Sequence, residues 1–136
     1  MANRWLFKTD PDTYPFQRLI KDRRTVWDGV KNNLALKHLA RIRKGDAIII
    51  YHTGSEKALV GTTRSLSGAY LDPAKKDPKL LVFDIKAIES LPRAVPLVDL
   101  KVDAGLVGFD LIRLPRLSVM EVNKKQWRII MRRAGK

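Results

Sequence analysis

The stretch Thr25–Asn33 (TVWDGVKNN) gathers an aromatic ring, a carboxylate, a turn glycine, a cation and two carboxamides into one strand-to-helix passage. The face of Trp27 can stack a planar base, an interaction of about 1–3 kcal/mol when the overlap is good. Asp28 and Asn32 carry directional acceptors and donors that can read a base edge, and Asp28-Gly29 is a turn signal. The N-terminus of the helix that follows favours a phosphate. Trp27 suits a core equally well, and Asn32 suits a helix cap, so the residue types leave both readings open.

Other chemistry is sparse. His52 closes an apolar run and could serve as a base, although a histidine placed so is more often a satisfied structural group. Asp28, Asp46 and Asp84 offer carboxylates, but no spacing brings two of them together, and Asp46 after Gly45 reads as turn chemistry. The chain carries no G-x-S-x-G, phosphate-binding loop, G-x-G-x-x-G or H-E-x-x-H, so no catalytic residue is assigned. With no cysteine, and His38 and His52 as its two histidines, it supports no disulfide or thiol chemistry, and no metal or cofactor is expected.

The charge balance is lopsided: 27 Lys and Arg against 14 Asp and Glu give +13. Solubility does not require so large an excess, which points to a polyanionic partner, DNA or RNA. Lys37, Arg41 and Lys44 recur on one face of the helix after the passage, and with Lys31 they are candidate phosphate contacts. Lys125, Arg128 and Arg132 form a second basic stripe near the C-terminus. The longest purely apolar run, Ala47–Tyr51, falls far short of the ~18 residues that span a bilayer. A cytoplasmic protein with no membrane partner is expected.

These side chains need elements to position them. At 136 residues, 45% of them hydrophobic, the chain has material for one domain, 1–136, with a genuine core. Strands are expected at Arg4–Thr9, Thr25–Trp27, Ala47–His52, Ala58–Ser65, Leu80–Ile88 and Leu117–Val122. Pro15 enters a short helix, and a second runs from about Asn32 to Ile42. A polar loop is expected at Leu71–Pro78. Pro92 and Pro96 bracket a connector, Leu97–Leu100 fits one helical turn, and Leu106–Leu114 fits helix or strand. Asn123 and Gln126 have capping-box spacing ahead of the stripe Trp127, Ile130, Met131 and Ala134. The order points to an α+β fold with a curved or barrel-like sheet flanked by helices.

Six collinear segments then carry a resemblance: WLFKTDP at Trp5–Pro11, TVWDGVKN at Thr25–Asn32, the KGD to IIIYHT run at Lys44–Thr53, VGTT at Val60–Thr63, AYLDPA at Ala69–Ala74 and RLSVMEV at Arg116–Val122. Together they resemble the EVE domain, of the PUA-like superfamily and related to YTH domains, over nearly the whole chain. The resemblance implies a mixed, barrel-like sheet flanked by helices. It also implies a bacterial-type binding module whose pocket takes a modified or flipped-out nucleobase in DNA or RNA. By position it assigns the stacking wall to Trp27 and edge reading to Asp28, Gly29, Val30 and above all Asn32. Lys8 and Thr9 would face the same cavity, as would Tyr51, His52 and Thr53. Lys8 and the basic helical faces would hold phosphates. Arg116 and Ser118 belong to the RLSV motif. The family's RNYQARN stands here as Lys31-Asn32-Asn33-Leu34-Ala35-Leu36-Lys37, without its tyrosine, glutamine and arginine. Leu80 occupies the place of a usual tryptophan, leaving Tyr70 to substitute as a second aromatic wall. PUA-like folds also host enzymes, in which case His52 with Asp28 or Lys8 would be acid–base partners. A basic RNA-associated protein with a vestigial pocket is the third possibility.

Overall fold

The computed structural model describes residues 3–28, 30, 32–71 and 81–136. Strand β1 (Arg4–Thr9) buries Trp5, Leu6 and Phe7 in succession, and β3 (Ala47–His52) buries Ile48 through His52. Consecutive burial means that both faces are covered, as befits the parallel β1–β3 pair. β1 also pairs antiparallel with β7 (Val119–Glu121). With β2 (Arg24–Trp27), β4 (Ala58–Ser65) and β6 (Leu81–Pro96), the strands run in the order β2-β6-β4-β3-β1-β7, and the short β5 (Tyr70–Leu71) pairs with β6.

That sheet is rolled. β2 and β1 lie four places apart, which in a flat sheet would separate them by about 19 Å. Yet the rings of Phe7 on β1 and Trp27 on β2 have centroids 5.6 Å apart, and Phe7 meets Phe83 of β6 edge-on at 4.8 Å. The three aromatics plug the inside of a barrel-like sheet. Helices α1 (Phe16–Asp22), α2 (Asn33–Leu39), α3 (Leu97–Lys101), α4 (Asp110–Arg113) and α5 (Lys124–Arg133) flank it, completing the α+β architecture expected.

β6 departs from expectation. It runs on through Pro92 to Pro96 instead of ending near Ile88. Gly61 pairs with Ser90 and Leu59 with Val95, so Leu91–Ala94 bulge opposite a single residue of β4. Pro92 sits in that bulge, where no ladder N–H is required. Helix α2 stops at Leu39, one turn early, because the Arg41 and Ile42 N–H groups bond back to His38 and Leu39 in tight turns. Leu106–Leu114 is neither one helix nor a strand: a 3-10 turn at Ala104–Leu106 and α4 are separated at Gly108, whose φ of +85° a side chain would resist. The capping box of α5 forms as the spacing predicts, with Asn123 Oδ1 and Gln126 Oε1 each accepting the other's backbone N–H.

Two local contacts fix the frame. The buried Asp46 carboxylate does more than turn chemistry: it accepts from the Trp5 indole N–H at 2.9 Å and from the Asn3 and Arg43 backbone N–H groups. Gly61 of β4 lies beneath the Phe16 ring so closely that a Cβ there would come within 2.2 Å of it. The loop expected at 71–78 lies, beyond Leu71, outside the described residues.

Candidate functional site

Where β1 ends, its chain turns sharply. Asp10 sets the turn: its Oδ1 accepts the Asp12 N–H, and its carbonyl accepts those of Thr13 and Tyr14. The Thr9 hydroxyl donates to the Tyr14 carbonyl at 2.9 Å and locks the loop. Tyr14 is thereby set perpendicular to Trp27, with ring centroids 6.4 Å apart at 83°. Its hydroxyl donates to Asp22 Oδ2 at 2.9 Å, and the Arg18 guanidinium lies over its ring.

The two rings wall a cavity of about 520 Å³, within the range that binds small organic ligands. Lys8, Thr9, Asp10 and Thr13 line it from β1 and the turn, Thr25 through Asp28 and Val30 from β2 and beyond, and Ser118 from the bend just before β7. Trp27 is 8% exposed, packed on Phe7 on the barrel side, so it is a fixed wall of the cavity and a core residue at once. The Lys8 ammonium donates to the Pro115 carbonyl at 2.8 Å and stands over the Tyr51 ring. Burial lowers its pKa below the ordinary lysine value, and burial likewise pushes the phenols of Tyr14 and Tyr51 up.

Of the residues singled out from the sequence, Trp27, Asp28, Val30, Lys8 and Thr9 converge on this cavity. Tyr51, His52 and Thr53 do not line it; they stand behind it. His52 Nε2 accepts the Phe16 N–H at 3.0 Å, and its Nδ1 faces the Glu56 carboxylate, so both ring nitrogens are engaged away from Asp28 and Lys8. The Thr53 N–H donates to the Thr9 carbonyl. The strand end thus braces the loop that carries Thr9 and Tyr14. Asn32 does not line the cavity either: its side chain caps α2 by accepting the Ala35 N–H. Gly29, Lys31 and Leu80 lie outside the described residues.

The second aromatic wall is Tyr14, not Tyr70, whose hydroxyl donates to Asp84 instead. Asp10, Thr13, Thr25 and Val26 also line the cavity without being marked by the sequence pattern. The available signal was the turn DPDTYP, an aromatic held between two prolines directly after a motif strand. Among the phosphate candidates, Lys37 and Lys44 are exposed, whereas Arg41 pairs with Glu121 at 3.3 Å and covers the Trp5 ring. No group of acids and histidines among the described residues could hold a metal, and no described helix is long and apolar enough to cross a membrane.

The EVE domain profile matches residues 3–133. Thymocyte nuclear protein 1 of Mus musculus is 24% identical over 165 aligned residues, covering 96% of this chain and 73% of that protein. A solved protein of Pseudomonas putida superposes with a TM-score of 0.90 at 31% identity, covering 96% of this chain and 99% of that one. Rpa0253 of Rhodopseudomonas palustris gives 0.93 at 29% identity, covering 98% and 94%. Human THYN1, solved in complex with 5-methylcytosine-containing DNA, gives 0.88 at 22% identity, covering 99% of each chain, a likeness of fold.

Proposed function

The chain belongs to the EVE domain family, and from that membership we propose that it is a nucleic-acid-binding module whose cavity receives a modified or flipped-out nucleobase of DNA or RNA. One observation carries the reading: a cavity with two fixed aromatic walls at right angles and a polar rim, in a chain of charge +13. A base would lie against Trp27 with Tyr14 closing the side. Asp10 and Asp28 are acceptors, suited to an exocyclic amine such as that of cytosine. Val26 and Val30 offer apolar contact to a ring methyl. That chemistry agrees with the 5-methylcytosine in the DNA bound to human THYN1. Lys8, with Lys37 and Lys44, would take neighbouring phosphates. Extruding a base from a duplex costs a few kcal/mol, so single-stranded or mismatched targets should bind better.

Calorimetric titration with a panel of modified and unmodified nucleosides, 5-methyl-2′-deoxycytidine included, tests the reading. One modified base should bind selectively, and Trp27→Phe and Tyr14→Ala should each weaken it severalfold in a folded protein. Equal binding of every base, or wild-type affinity in both variants, would contradict it.

A further inference from the structure

A second concavity lies at the other end of β1. Arg4 and Lys8 are four residues apart on this strand, about 13 Å along it, so the concavity is separate from the one Lys8 lines. A groove of about 440 Å³ runs here between Arg4 and α5. Lys124, Arg128 and Arg132 form its rim at strict i, i+4 spacing, one cation every ~6 Å along the helix. Trp127 forms the floor, with the Arg4 guanidinium over its ring at 5.8 Å from the centroid.

The charge arrangement works against the helix itself. Like charges at i, i+4 repel, and Lys124 sits at the positive end of the helix dipole. Among the described residues no Asp or Glu lines the groove, and α5 contains none. Two other cations of this terminus are paired, Arg133 with Asp103 at 2.9 Å and Lys136 with Glu89. Among the described residues Arg4, Lys124, Arg128 and Arg132 form no ion pair. A row of cations without direct ion-pair partners beside an aromatic face is a pattern that a nucleic-acid strand satisfies, with phosphates on the cations and a base or sugar against the ring.

Building on the reading of the chain as a nucleic-acid binder, we propose that the Arg4–α5 groove is a second site, which holds the sugar-phosphate backbone of a single strand without regard to base modification. It supplies affinity that the nucleobase cavity lacks, through charge release and one stacking surface.

Fluorescence anisotropy with an unmodified single-stranded oligonucleotide of about ten nucleotides, from 50 to 200 mM salt, tests this. The double variant Arg128→Ala/Arg132→Ala should raise Kd about tenfold at low salt. It should also flatten the slope of log Kd against log salt by about 1.4, because each single-strand phosphate contact contributes ~0.7. Alanine favours helix, so α5 is retained, and circular dichroism checks it. A control that removes the same charge elsewhere, Lys21→Ala/Lys101→Ala, should stay within twofold of wild type. Wild-type behaviour of the groove variant, or equal losses in groove and control variants, would overturn the groove. Should no modified nucleoside bind while the groove variant still loses oligonucleotide, the cavity reading falls and the groove stands. If the wild-type protein binds no oligonucleotide, both fall.

Discussion

The two ends of β1 are built on opposite physical terms. At the Lys8 end the cavity is walled by Trp27 and Tyr14 and rimmed with carboxylates and hydroxyls. Its loop is locked by Thr9, Asp10, His52 and Thr53, and its one lysine is partly desolvated. At the Arg4 end the groove is a row of solvated cations on a helix, with a single aromatic contact. Fixed walls and directional groups discriminate between bases, whereas solvated cations attract phosphates of any sequence. Under the proposed reading the contrast is a division of labour: selectivity would reside where the sheet closes on itself, and sequence-independent affinity where a helix faces water.

The comparison breaks most severely at Trp27. It joins the cavity wall to the Phe7–Phe83 cluster, so Trp27→Ala should cost about 3–5 kcal/mol of stability, seen in urea unfolding. An Arg128→Ala/Arg132→Ala protein, by contrast, should unfold within about 0.5 kcal/mol of wild type, as surface changes do. Gly61→Ala should cost about 1–3 kcal/mol, since the new methyl meets the buried Phe16 ring and pushes against the loop braced by His52. Its melting temperature should fall, and nucleoside binding should suffer more than oligonucleotide binding.

The smallest effect sharpens the groove end. The Gly105 N–H and then Arg133 hold the Asp103 carboxyl below its ordinary pKa. The stabilisation from a lowered carboxyl pKa is present above the unfolded value and lost as pH falls through the folded one. Thermal melts from pH 6 down to pH 2.5 should therefore show a modest loss below about pH 4 that Asp103→Asn lacks.

Much of this frame was legible from local pattern. The apolar runs of β1 and β3 and the reciprocal Asn123–Gln126 cap are nearest-neighbour features, and the structure reproduces them. β6 outruns its sequence pattern because Pro92 reads as a breaker, and only the cross-strand register reveals the bulge that accommodates it. At the cavity, the motif positions Lys8, Thr9, Trp27, Asp28 and Val30 gather as their strand ends suggest. Position at a strand end does not reveal which layer a side chain enters, however. His52 turns to the Phe16 N–H, 36 residues away in sequence, and Thr53 to the back of Thr9. Tyr14 is not legible in the sequence, because an isolated aromatic in a proline-bounded turn has no periodicity to mark it. Asn32 could cap a helix or read a base, and here its side-chain oxygen caps α2.

The most direct test is a pair of ¹H–¹⁵N NMR titrations on the wild-type protein, one with a modified nucleoside and one with an unmodified single-stranded oligonucleotide. The nucleoside should shift the Trp27 indole signal and the amides of residues 9–14 and 25–28, leaving α5 still. The oligonucleotide should shift Arg4 and the amides of α5, including the Trp127 indole. If the nucleoside perturbs α5 instead, or leaves the Trp27 indole untouched while binding, the assignment of base recognition to the cavity is wrong.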